Sequence, residues 1–188
     1  MDQSERIPTF PAAAALLLRG IPSIVIETLL SRLVAVATER HPRLFDRLGV
    51  HAGSRYLIDP TDLPFVVILH PAATDGRLRV LPRDTTQLRD ARIGGPLAAL
   101  LGLVHGSYDG DALFFSRDLV VEGDTEAVLA LRNAIDDAEI DLSAEALHGL
   151  GPLRALAAPP VSHILPLVER LTGVSLSRPN RGGLQHGR

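Results

Sequence analysis

Seven histidines, at positions 41, 51, 70, 105, 148, 163 and 186, are the side chains with which this chain could most readily move protons or hold a metal near neutral pH. Their spacing supports neither task. They are scattered, with no H-E-x-x-H pattern that would set two imidazoles and a base on one helix face. A histidine such as His70 or His105 is therefore expected to be structural. Serine nucleophiles fare no better. No G-x-S-x-G elbow occurs, and the nearest nucleophile–base pairing is Ser107 or Ser116 with His105. Cysteine is absent, which removes thiolate chemistry, zinc-thiolate sites and disulfides together. Asp109 and Asp111 lack the further oxygen ligands of a calcium loop and fit a solvated turn. Asp136 and Asp137 fall late on a helix, where the macrodipole disfavours them, and fit a surface feature. Gly94-Gly95 follows a strand without a phosphate-binding pattern around it and is expected to be a plain turn. These residue types in these positions do not assemble an active site, so the chain is expected to be non-catalytic, with no metal and no cofactor.

Composition narrows the remaining classes. A net charge of −3 gives no field to draw the chain onto nucleic acid, and 4% aromatics leave few platforms for stacked bases. All 19 basic residues are arginine, in a chain also rich in Ala, Gly and Pro; this fits a GC-rich coding bias as well as any ligand preference. Hydrophobic residues make up 46% of the 188, enough for one domain with a core plus an appended element. No run approaches the ~20 apolar residues of a spanning helix. Asp2 and Glu5 argue against a secretory signal. A cytoplasmic location follows as the expectation, with any membrane contact peripheral at the inner face of the cytoplasmic membrane.

The elements that would carry these residues are legible from periodicity. Prolines 8, 11 and 22 break the start of the chain and leave a short apolar turn at Ala12–Leu18. A helix is expected from Ser23 as N-cap, with Ile26, Leu29, Leu30, Leu33, Val36 and Ala37 inward and Glu27, Ser31, Arg32 and Glu39 outward. A short helix is expected from Pro42 to Leu48, stopped by Gly49. Strand signals then follow at Tyr56–Asp59, Phe65–Leu69, Arg77–Val80 after an Asp75-Gly76 turn, Arg89–Ile93 and Leu119–Val121. Pro96 opens a helix with Leu97, Leu100, Leu101 and Val104 on one stripe. Asp124 or Thr125 caps another, striped with Ala127, Val128, Leu131 and Ile135. A last amphipathic helix is expected near Val161–Leu171, with a disordered tail from Ser175.

The run from Asp111 to Glu126 (DALFFSRDLVVEGDTE), continuing through Leu131-Arg-Asn-Ala-Ile-Asp-Asp137, resembles the end of the sterol carrier protein type-two lipid-binding domain, most of all its bacterial branch called UbiT. Arg55–Asp59, Phe65–Leu69 and Gly76–Val80 stand upstream in the order that family shows. The resemblance spans residues 50–140, and Leu-Val-Val-Glu-Gly-Asp-Thr-Glu is its most specific phrase. It implies an α+β fold: a five-stranded, mainly antiparallel sheet covered by helices that enclose an apolar lipid tunnel, here with an N-terminal helical extension. It implies an accessory lipid carrier of oxygen-independent ubiquinone biosynthesis. Its ligand would be a ubiquinone precursor, a phospholipid or a fatty acid, and its partners the ubiquinone-biosynthetic hydroxylase proteins. The expected tunnel lining is Val67, Leu69, Leu97, Leu100, Leu101, Val104, Phe114, Phe115, Leu119, Val121, Leu131 and Ile135.

The expected division is a helical extension over 1–50, the lipid-binding domain over 51–142, a C-terminal helical segment over 143–174 and a tail over 175–188. A carrier must collect its cargo from a bilayer, and Leu16, Leu17, Leu18 and Arg19 are the candidate membrane contact. Two readings compete with the carrier: a scaffold that organises ubiquinone-biosynthetic enzymes without carrying lipid, and a general fatty-acid or phospholipid transfer protein. An acyl-handling enzyme would need the His105–serine pairing above.

Overall fold

The structure is a computed structural model and describes residues 9–74, 77–85, 88–105 and 118–138. Within these, helix α1 (Ala12–Leu18) and helix α2 (Ser23–Arg40) lead into a 3-10 segment, Asp46–Gly53. Four strands follow: β1 (Tyr56–Pro60), β2 (Phe65–Leu69), β3 (Leu78–Pro82) and β4 (Ala91–Gly95). Helix α3 (Leu97–His105), strand β5 (Val120–Gly123) and helix α4 (Thr125–Ala138) complete the described chain. The five strands form one open sheet in the order β3-β2-β1-β4-β5. Three of its pairings are antiparallel and the central one, β1 with β4, is parallel. The fold is thus the α+β class with a mainly antiparallel five-stranded sheet.

Period-2 alternation sorts the side chains between the two faces of the sheet. Tyr56, Ile58, Val67, Leu69, Leu78, Val80, Ala91, Ile93 and Val121 share one face by register, and the helices pack there. That layer has two apolar clusters. At the β3 end, Ile26, Leu30 and Val34 of α2 lie against Val67, Leu78 and Val80. Toward the middle and the β5 end, Leu44 and Leu48 join Tyr56, Leu69, Ile93, Ala99, Leu100, Leu103, Leu119, Ala127, Val128, Leu131 and Ala134. On the opposite face, Leu57, Val66 and Ile68 form a smaller cluster, with Asp59 and Arg92 on the same side by register.

Local chemistry corrects several expectations. Ser23 is the first helical residue of α2 and Pro22 occupies the cap without a side-chain bond, because Pro is pre-set for the approach to a helix start. Leu29, expected inward, is 66% exposed. Glu27, expected outward, turns to the sheet, where its Oε2 accepts the Val80 N–H at 2.7 Å. Since β3 is an edge strand, that N–H has no strand partner, and satisfying it rotates α2 so that Leu29 faces out. The helix expected at Pro42–Leu48 gives way to the 3-10 segment; Gly49, at φ +52°, re-aims the chain inside it instead of ending it. Gly94-Gly95 is the end of β4, not a turn, paired with Asp59 and Pro60. A Cβ at Gly95 would come within 2.5 Å of the Asp118 carbonyl oxygen, so glycine there permits a close backbone approach. The expected Asp75-Gly76 turn and Val161–Leu171 helix lie outside the described residues.

Candidate functional site

The outer strand β5 and helix α4 make one connected feature. Gly123 at φ +81° turns the chain from strand to helix, and a Cβ there would collide with the Asp90 carbonyl. Asp124 then caps α4, its Oδ1 accepting the Ala127 N–H at 3.0 Å. Ala127, Val128, Leu131 and Ala134 anchor the helix in the core. The adjoining stripe, Thr125, Leu129 and Arg132, lies beside Val121 of β5, and Val128 links the two stripes. These five residues line a cavity of about 230 Å³, walled mostly by apolar atoms and open to solvent. Leu129 is 53% exposed beside it.

The residues expected to line a tunnel divide into groups. Leu69, Leu100, Leu119 and Leu131 are buried together in the main cluster, and Val104, Val121 and Ile135 pack on its border. Val67 belongs to the other cluster, under α2. Leu97 and Leu101 are half-buried, while the most buried residues of α3 are Ala98, Ala99, Leu100 and Leu103. The inward side of α3 is therefore turned by about one residue from the expected stripe, because two alanines allow the helix close to its neighbours. Phe114 and Phe115 lie outside the described residues. Among the described residues of the expected set, Val121 alone lines the cavity. Thr125, Val128, Leu129 and Arg132 were missed as lining residues. Their i, i+4, i+7 spacing from Thr125, next to a strand end, was the available signal.

The expected membrane contact falls on α1, which opens after Pro11. Leu16 and Leu17 are 63% and 76% exposed, Leu18 is half-buried and Arg19 is exposed. Asp62 ties this arm down: its Oδ2 accepts the Phe10 N–H at 2.7 Å while its Oδ1 accepts the Leu97 N–H, at the start of α3, at 2.9 Å.

His51, Tyr56 and Asp124 are linked at the start of α4. His51 Nδ1 lies 3.5 Å from Asp124 Oδ2, and that carboxylate is already the cap of α4. The Tyr56 hydroxyl donates to the His51 carbonyl at 3.0 Å. Burial pushes the Tyr56 phenol above its ordinary range, and the Asp124 charge pushes the same way, so it stays a neutral donor. Ser107 and Ser116, the expected partners of His105, lie outside the described residues. No group of three His, Asp or Glu side chains gathers among the described residues, and no described helix is long and apolar enough to cross a membrane.

The model of the SCP-2 sterol transfer family matches residues 35–136. No protein of curated function matches the chain. Solved structures similar to it include the following three. A "UbiJ-SCP2 Ubiquinone synthesis protein" is 22% identical with a TM-score of 0.43, over 62% of this chain and 90% of that one. Sterol carrier protein 2 from Yarrowia lipolytica, in its apo form, is 13% identical with a TM-score of 0.37, over 52% and 77% of the two chains. The sterol carrier protein domain 2 of Helicoverpa armigera is 10% identical with a TM-score of 0.39, over 57% and 84%.

Proposed function

The chain belongs to the SCP-2 sterol transfer family, and from that premise we propose that it is a non-catalytic lipid carrier. The observation that carries this reading is the family match over 35–136, which takes in the whole described sheet, α3 and most of α4. The apolar cavity between β5 and α4 agrees with it. An isoprenoid or acyl chain in water costs about 0.8 kcal/mol for each methylene left unsheltered. Moving such a molecule between enzymes therefore needs a protein surface that covers it.

In this reading residues 51–142 are the lipid-binding unit, and 1–50 form an extension whose second helix lies along the edge strand. The cargo is a ubiquinone precursor or a phospholipid, presented to ubiquinone-biosynthetic hydroxylases; the stretch 111–137 supports that pathway by its resemblance. Leu16, Leu17, Leu18 and Arg19 meet the bilayer during loading. Two exposed leucines and one arginine give a reversible hold, since an arginine near an anionic surface adds only about 1 kcal/mol.

A transfer assay tests the proposal. Donor vesicles carrying a fluorescent prenylated phenol are mixed with acceptor vesicles, with and without the full chain. A carrier accelerates transfer in proportion to its concentration. A scaffold, which holds enzymes but no lipid, leaves the rate at its protein-free value.

A further inference from the structure

We propose that the chain's own stretch beyond residue 138 docks across the face of the sheet opposite the helices. On that face Leu57, Val66 and Ile68 form one apolar cluster, 4–8% exposed, with Leu81 of β3 half-buried beside them. Alternation and register put Val120 of β5 on the same face, and it is 47% exposed. One face of the sheet is thus open at its β5 end and closed over β1 and β2.

The described elements do not account for that closure. Helices α2, α3 and α4 pack on the other face. Helix α1 leaves Leu16 and Leu17 exposed, and none of its described side chains joins the Leu57–Val66–Ile68 cluster. The Arg83 and Arg92 guanidiniums converge on Asp59 in β1, whereas Ile68 stands in β2, paired with exposed Arg79. An apolar side chain inside a sheet loses this much exposure beneath a further layer.

Reach and composition select the occupant. Residues 106–117 are tied at both ends, to α3 on the helix side and to β5, three strand spacings or about 14 Å from β2. Residues 1–8 offer only Met1 and Ile7 as large apolar side chains, among Asp2, Glu5 and Arg6. Residues 139–188 follow α4 with length to spare. About twenty residues separate Ala138 from Val161, and roughly six extended residues already span ~20 Å, enough to round the sheet. Val161, Ile164, Leu165, Val168 and Leu171 then recur at i, i+3, i+4, i+7 and i+10, an apolar stripe with His163 and Arg170 opposite. Such a stripe laid on Leu57, Val66, Ile68 and Leu81 removes apolar surface from water on both partners at once.

The chain has no cysteine, so a single introduced thiol reports on one place. A benzophenone maleimide on Arg79→Cys, at the rim of the cluster, is irradiated in the full chain, and its adducts are located by peptide mass spectrometry. The expected adducts fall within 161–171. Adducts confined to 1–8, to 106–117 or to a second copy overturn the proposal, as does the absence of any adduct in 139–188. In a second measurement on the full chain, Ile68→Cys should react with a maleimide roughly tenfold more slowly than Val120→Cys. Adding Leu165→Asp should raise the Ile68→Cys rate by about tenfold and leave the Val120→Cys rate unchanged. An unchanged Ile68→Cys rate overturns the docking. So does a rise matched at Val67→Cys on the inner face, which marks general loosening of the fold. An Ile68→Cys rate that rises on delipidation alone overturns it in favour of a lipid cover.

Discussion

Asp59 is the buried charged residue among the described side chains, only 5% exposed, and its surroundings show how such a charge is kept. Arg92 reaches it through Nε at 3.1 Å and Nη2 at 2.6 Å, and Arg83 ion-pairs with the other oxygen. Arg83 also donates to the Leu63 carbonyl, and Arg92 to Glu122 at 2.7 Å, so each guanidinium crosses between chain segments. Removing the carboxylate would strand two cations beside an apolar cluster. Asp59→Ala should lower unfolding free energy by about 3–5 kcal/mol in urea titrations, and Asp59→Asn by less. Asp90 acts nearer the surface. Hydrogen bonds from the Arg55 side chain and backbone N–H hold its carboxyl below the ordinary carboxylate range. A lowered folded-state pKa means stability that is present above the unfolded carboxylate pKa, about 3.9, and is lost as the pH falls through the lowered value. The urea midpoints of wild type and Asp90→Asn should therefore differ at pH 7, begin to approach each other near pH ~4 and converge once the pH has fallen through the lowered value.

Helices and strands were legible in the sequence to the extent that their burial follows a simple period. The apolar run Phe65–Leu69, bracketed by Pro64 and Pro71, and the Asp124-capped α4 are found where their patterns place them. The pattern misleads where a polar group has a tertiary partner. Glu27 reads as solvent-facing until the unpaired N–H of an edge strand is placed beside it. Gly94-Gly95 reads as a turn until Asp118 is seen to need the space a Cβ would fill. The cavity was hidden for a related reason: Arg132 stands among surface-type residues, and only the strand beside α4 makes its stripe a wall. Gly95→Ala is the direct test of the close approach, and overpacking against the Asp118 carbonyl and the Leu119 side chain should cost about 1–3 kcal/mol in thermal or urea unfolding. Glu27→Ala should cost about 1–3 kcal/mol by leaving the Val80 N–H without its acceptor.

At the scale of the whole molecule, α2, α3 and α4 pack on one face of the sheet, and the proposed lipid chemistry is read into the layer between them. An arm with Leu16 and Leu17 exposed lies outside the matched residues, tied by Asp62 to the start of α3. The central claim is that this layer and its open β5–α4 end shelter lipid. Native mass spectrometry of the full chain after exposure to vesicles containing a prenylated phenol and phospholipid tests it most directly, paired with solvent extraction of the same sample. The account predicts a protein-plus-one-lipid mass and the same lipid in the extract. A single mass for the bare chain, with an empty extract, would contradict it.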